Sequence, residues 1–101
     1  MATPRSRAAE LFGQRVREAR IALGMSQEEI AGLADMHVTN YGRVERGEAN
    51  SELHTIVRIA TALDTDPGEF LKGLYGQGML PDRARAYSVA DFLAARRAEE
   101  R

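Results

Sequence analysis

The chain contains no cysteine, which excludes disulfides and thiolate metal sites. Lysine is nearly absent: Lys72 is the only one, and the other basic residues are arginines. There is also no excess of positive charge. Lys+Arg 14 against Asp+Glu 15 gives a formal net charge of -1 and a pI near 6.1. A non-specific nucleic-acid binder is usually basic overall, so any role of that kind must rest on a local patch, with the acidic residues on other faces. No apolar run approaches the span of a membrane helix, and the opening MATPRSRAAE lacks the apolar segment of a secretory signal. No glycine-rich phosphate loop is present, and no set of side chains combines a nucleophile, a base and an oxyanion donor. His37 and His54 are far apart in sequence and neither sits in a ligand cluster, so no metal or cofactor is expected. These absences argue against an enzyme and for a soluble cytoplasmic protein. Its 101 residues allow one domain with a small core that needs no covalent staples.

What is present centres on residues 24–47, GMSQEEIAGLADMHVTNYGRVERG. Ser26-Gln27-Glu28-Glu29 is a capping box, in which the Ser26 hydroxyl accepts from the Glu29 N–H and the Glu29 carboxylate reaches back. Ile30, Ala31 and Ala34 follow at helical spacing and supply one buried side. Asp35 and Met36 interrupt that helix, and a second runs over 38–46 until Gly47 stops it. On the second helix Tyr41 and Val44 share one face, while Val38, Thr39, Asn40 and Arg43 point elsewhere. Such an outer face suits a major groove. A valine or threonine methyl packs on a thymine methyl, asparagine bonds adenine at two atoms, and Arg43 reaches guanine or a flanking phosphate.

Around this centre the pattern is helical throughout. Residues 1–7 form a short flexible arm carrying Arg5 and Arg7, either a frayed end or an arm that touches phosphates or the minor groove. A first helix spans about 6–23, with Phe12, Val16, Ala19 and Leu23 as its buried stripe and Arg15 and Arg17 on a solvated face. A fourth helix, about 52–63 and capped by Ser51, offers Leu53, Ile56, Ile59, Ala60 and Leu63 to the core. Asp66-Pro67-Gly68-Glu69 starts a fifth, with Glu69 able to complete a capping box, and Phe70, Leu71 and Leu74 close the core. Glycines at 73, 76 and 78 end it as a hinge. An arginine-rich connector then leads to a last helix capped by Ser88, whose apolar strip is Val89, Phe92 and Leu93 and whose end, from Arg96 to Arg101, is polar. A helix that short is marginal unless its strip is buried. It packs either on the fifth helix of its own chain or, the preferred reading, on a second chain.

The central segment resembles the helix-turn-helix of the phage repressor and Cro family, also called XRE-like. The resemblance is carried by Ser26-Gln27-Glu28-Glu29 before Ile30-Ala31, then Thr39, Val44-Glu45-Arg46-Gly47 and Asn50. It continues through LHTIVRIATAL to Asp66-Pro67-Gly68-Glu69-Phe70-Leu71, and covers roughly residues 10–74. It implies an all-α fold: a five-helix repressor-like DNA-binding domain over 8–76, the arm at 1–7, and a C-terminal extension at 77–101 with a dimerisation helix. It further implies that Gln27, Arg46 and Asn50 contact DNA phosphates and that Arg20 pairs with Glu45. Tyr41 stands where the family has Ile or Val, so it should pack inward. His37 stands where the family has a Ser or Thr cap, a poor exchange for capping. Glu48 and Glu52 replace the basic residues often found after the recognition helix. Gly42, costing roughly 1 kcal/mol of helix stability against Ala, implies close approach of the backbone to DNA or to the first helix.

The functional expectation is a sequence-specific transcriptional regulator, a repressor-type homodimer on a palindromic operator in double-stranded DNA. One helix-turn-helix alone reads too few base pairs for a unique site. The alternative is a protein-interaction module that keeps this fold, such as an antitoxin holding a protein partner through the last helix.

Overall fold

The computed structural model describes residues 3–82 and 86–100. Six helices follow in order: α1 Arg7–Ala22, α2 Gln27–Leu33, α3 Val38–Glu45, α4 Leu53–Ala62, α5 Pro67–Leu71 and α6 Val89–Glu99. No strand occurs among the described residues. The first five helices surround one core built from Phe12, Val16, Ile30, Ala31, Ala34, Tyr41, Val44, Ile59, Ala60, Leu63 and Phe70. Phe12 and Phe70 meet edge to face at 6.1 Å and join α1 to α5.

Local chemistry explains most helix starts. Ser6 Oγ accepts from the Ala9 N–H and opens α1. The Ser26 box is complete, with Ser26 Oγ accepting from Glu29 N–H at 3.1 Å and the Glu29 carboxylate accepting from Ser26 N–H at 2.9 Å. The hydrogen bond from the Ser26 backbone, then the one from its hydroxyl, lowers the Glu29 pKa. At α5, Asp66 caps through the Gly68 N–H at 2.7 Å with Pro67 at the first helical position, and Glu69 completes no box. Between α2 and α3 the chain turns through Asp35 at φ 55, a left-handed conformation that aspartate tolerates better than most side chains.

Several expectations need correction. Leu23, Leu53 and Leu71 are 53%, 69% and 39% exposed, so none belongs to the core. Leu23 is the C-cap of α1, where the apolar stripe outruns the helices it packs on, and Leu53 lies in the first turn of α4. Ser51 does not cap α4: Glu52 holds the cap position without a side-chain bond, and the Ser51 hydroxyl is buried with no partner. Arg15 is not a solvated residue. Its guanidinium donates to the Phe70 and Lys72 carbonyls at 3.1 and 2.7 Å, closing the C-terminal end of α5. The N-terminal arm is pinned where described, because the Arg5 N–H donates to the Gly47 carbonyl at 2.8 Å. The connector arginines at 83 and 85, and Arg101, lie outside the described residues.

The crossing of α1 on α3 depends on a glycine that no motif marks. A Cβ on Gly13 would fall 2.1 Å from the Val44 carbonyl oxygen and 2.7 Å from that of Glu45. Backbone therefore rests on backbone there. A glycine one place after Phe12 and three before Val16, on the buried side of a helix, was the available signal. Gly42 is different. A Cβ there would meet Arg46 Nη1 at 3.1 Å and Gln27 Oε1 at 3.7 Å, both ends of flexible side chains, and no part of α1. We therefore expect Gly13→Ala to destabilise by about 1–3 kcal/mol or more through overpacking. Gly42→Ala should be neutral or gain up to about 1 kcal/mol from helix propensity. Urea unfolding of the two variants side by side reads this contrast, and equal effects would refute it.

Candidate nucleic-acid interface

Helix α3 carries two faces of opposite character. Tyr41, Gly42, Val44 and Glu45 are buried. Thr39, Asn40, Arg43 and Arg46 are exposed, and their positions i, i+1, i+4 and i+7 make one outward stripe. His37 caps the helix after all: its Nδ1 accepts from the Thr39 N–H at 3.3 Å while the ring stays exposed. Val38 is partly buried against the core, so of the four residues expected to face bases it is the one partly covered. Asn50 is exposed in the loop after α3.

The orientation of the stripe is set from beneath by a buried polar cluster. Arg20 of α1 grips the Glu45 carboxylate with two donors, Nε at 2.7 Å and Nη2 at 3.0 Å, and its Nη1 donates to the Met25 carbonyl at 2.9 Å. Side-chain exposure at this pair is 13% for Arg20 and 1% for Glu45. Gln27 of α2 donates to the same carboxylate at 2.9 Å. One carboxylate thus ties α1, α2 and α3 together. The Tyr41 hydroxyl is buried beside it without a hydrogen bond of ordinary geometry, and burial first, then Glu45, raises its pKa. For Glu45, burial alone would push the pKa up. The hydrogen bonds from Arg20 and the Gln27 amide, with the nearby Tyr41 hydroxyl, outweigh it and hold the carboxyl below its ordinary value of 4.5.

Gln27 was expected at a phosphate. Its Nε2 donates to Glu45, and its Oε1, near Arg46 and Gly42, can only accept, so a phosphate would have to be reached by the second Nε2 proton. Arg46 itself is exposed and paired with Glu48. The residues expected at a dimer interface, Val89, Phe92 and Leu93, are all exposed, and α6 buries none of its residues. Its Ser88–Asp91 capping box is complete, so the helix start is closed locally.

A short helix with a buried inner face and a polar outward stripe, set by a tight turn on a shorter capped helix, defines a helix-turn-helix unit. The family model described as helix-turn-helix, HTH_3, matches residues 16–70, and the chain belongs to that family. Control protein C.BamHI from Bacillus amyloliquefaciens is 42% identical over 62 residues, 60% of this chain and 76% of that protein. The crystal structure of the restriction-modification controller protein C.AhdI from Aeromonas hydrophila aligns with TM-score 0.60 and 47% identity, over 61% of this chain and 94% of that one. The P22 c2 repressor, solved in complex with synthetic operator 9T, aligns with TM-score 0.59 and 25% identity, over 62% of this chain and 96% of that one. Helix α6 lies beyond the residues matched by the family model.

The sign of the Glu45 shift sets a pH dependence. A carboxyl whose folded-state pKa is depressed contributes stability in full above the unfolded value, about pH 4.5, and loses it as pH falls through the lower folded value. Urea midpoints taken from pH 7 down to pH 3 should fall for the native chain. They should fall less for Glu45→Gln, which starts about 3 kcal/mol lower because Arg20 is left buried without its partner. Parallel acid limbs would rule out the ion pair as the source.

Proposed function

We propose that the chain is a sequence-specific DNA-binding transcriptional regulator that works as a homodimer on a two-fold symmetric operator in double-stranded DNA. The observation that carries this reading is the outward stripe of α3, Thr39, Asn40, Arg43 and Arg46, held rigidly by the Arg20–Glu45 pair beneath it. Asn40 is the adenine reader, Thr39 offers its methyl and hydroxyl, and Arg43 reaches guanine or phosphate. Val38 contributes only its uncovered edge. Gln27 at the start of α2, where the helix dipole favours anions, anchors a phosphate with Arg46 and Asn50. The relatives that are control proteins and the repressor solved on its operator support the regulator reading.

The dimer brings two α3 helices about 34 Å apart, one turn of DNA. We assign Val89, Phe92 and Leu93 to contact with a second chain, since these apolar side chains stay exposed among the described residues. No helix among the described residues is long and apolar enough to cross a membrane.

Selection of bound duplexes from random DNA tests binding, half-site spacing and symmetry together; recovery of no enriched sequence would sink the reading. Within the selected site, Asn40→Ala and Thr39→Ala should each lose about tenfold or more of the preference over random DNA. Gln27→Ala should weaken both to a similar degree. For the dimer contact, Phe92→Asp should lower the sedimentation mass toward that of a monomer, and an unchanged dimer would remove α6 from the interface.

A further inference from the structure

The outward stripe carries two cations, and the structure treats them differently. Among the described residues Arg43 makes no ion pair, whereas Arg46 Nε is paired with the Glu48 carboxylate. Glu48 is well placed to hold its partner. Its N–H donates to the Arg43 carbonyl at 2.9 Å, fixing its backbone to the end of α3, and the preceding Gly47 turns at φ +75. Its side chain is only 18% exposed, against 56% for Arg46. Arg46 Nη1 lies 3.1 Å from where a Gly42 Cβ would be, so the guanidinium is folded back along the surface of α3. With a net charge of -1, the chain as a whole supplies no attraction for a polyanion. Each local cation then counts for more.

We infer that Glu48 is a built-in counter-charge that occupies Arg46 in the unbound protein and lowers its affinity for DNA backbone, so that binding leans on base contacts made by Asn40, Thr39 and Arg43. The inference rests on the DNA-binding reading above. Arg46 must exchange a carboxylate for a phosphate when DNA arrives. The pair is exposed enough for that exchange, and its own contribution to stability is small. A phosphate contact made by an arginine already neutralised releases less favourable energy than one made by a free cation, equally for every sequence. Overall affinity therefore falls while the ratio between operator and random DNA is left unchanged.

The test uses the full chain, Glu48→Gln, Arg46→Ala and the double variant, with a mixed-sequence duplex and the selected operator at several salt concentrations. Glu48→Gln should bind both duplexes roughly fivefold to tenfold tighter near 0.1 M salt, and its log K against log salt slope should steepen by about one unit. The operator-to-random ratio should stay the same. In the Arg46→Ala background the same change should give less than about half that gain on a logarithmic scale, the signature of coupling between the two residues. Unchanged affinity and slope in Glu48→Gln, with the native chain still binding DNA, overturns the counter-charge and leaves the DNA-binding reading intact. Weaker binding confined to the operator overturns it in favour of Glu48 as a base reader. No binding by the native chain to either duplex at low salt overturns both. Thermal unfolding of each variant checks that none of these readings comes from loss of the fold.

Discussion

One buried carboxylate holds the arrangement that the rest of the structure depends on. Glu45 receives two donors from Arg20 and one from Gln27, and so joins three helices at a single point. A buried ion pair of this kind adds little net stability, because desolvation offsets most of the attraction. It adds direction. The partners must meet in one geometry, and that geometry turns the stripe from Thr39 to Arg46 outward while Tyr41 and Val44 go into the core. Gly13 allows it, since any side chain there would lift α1 off the carbonyls of Val44 and Glu45 and part the pair.

The arginines show how a chain without surplus charge assigns its cations. Arg15 closes the end of α5 and Arg20 sits in the core network, so two residues that composition counts as basic surface are structural. Arg7 is engaged with Glu10, and Arg46 with Glu48. What faces outward from α3 is thus a narrow patch, with acidic residues at its margin. A protein built this way gains little from long-range attraction. It depends on the shape and hydrogen-bonding of a few side chains.

Helix α6 is organised on a different principle from α1 to α5. The first five helices are held by burial of apolar faces around Ile59, Tyr41 and Val16. The last is held by its Ser88–Asp91 box and by its own backbone, with an Arg96–Glu100 contact at 4.0 Å on its surface. An isolated helix of this length is marginal in water. Its exposed Phe92 and Val89 are the physical reason to look for a second chain.

Local signals made much of this legible. Ser26 with Glu29, and Pro67 after Asp66, mark helix starts because the groups that satisfy the first N–H bonds lie within four residues. The opposed faces of α3 also follow from spacing alone, since a helix turns 100 degrees per residue wherever it is placed. The Arg20–Glu45 pairing came from family resemblance, which is a record of other folds and not a property of these residues in isolation. What tertiary structure alone decided was how far each apolar stripe is covered and what each polar side chain meets. Leu23, Leu53 and Leu71 lie exposed because the neighbouring helices do not cover them, Arg15 finds the end of α5 fifty-five residues away, and Gly13 meets α3. Sequence determines which way a side chain leaves its own helix; whether anything waits there depends on where distant helices end and cross, and no local pattern encodes that.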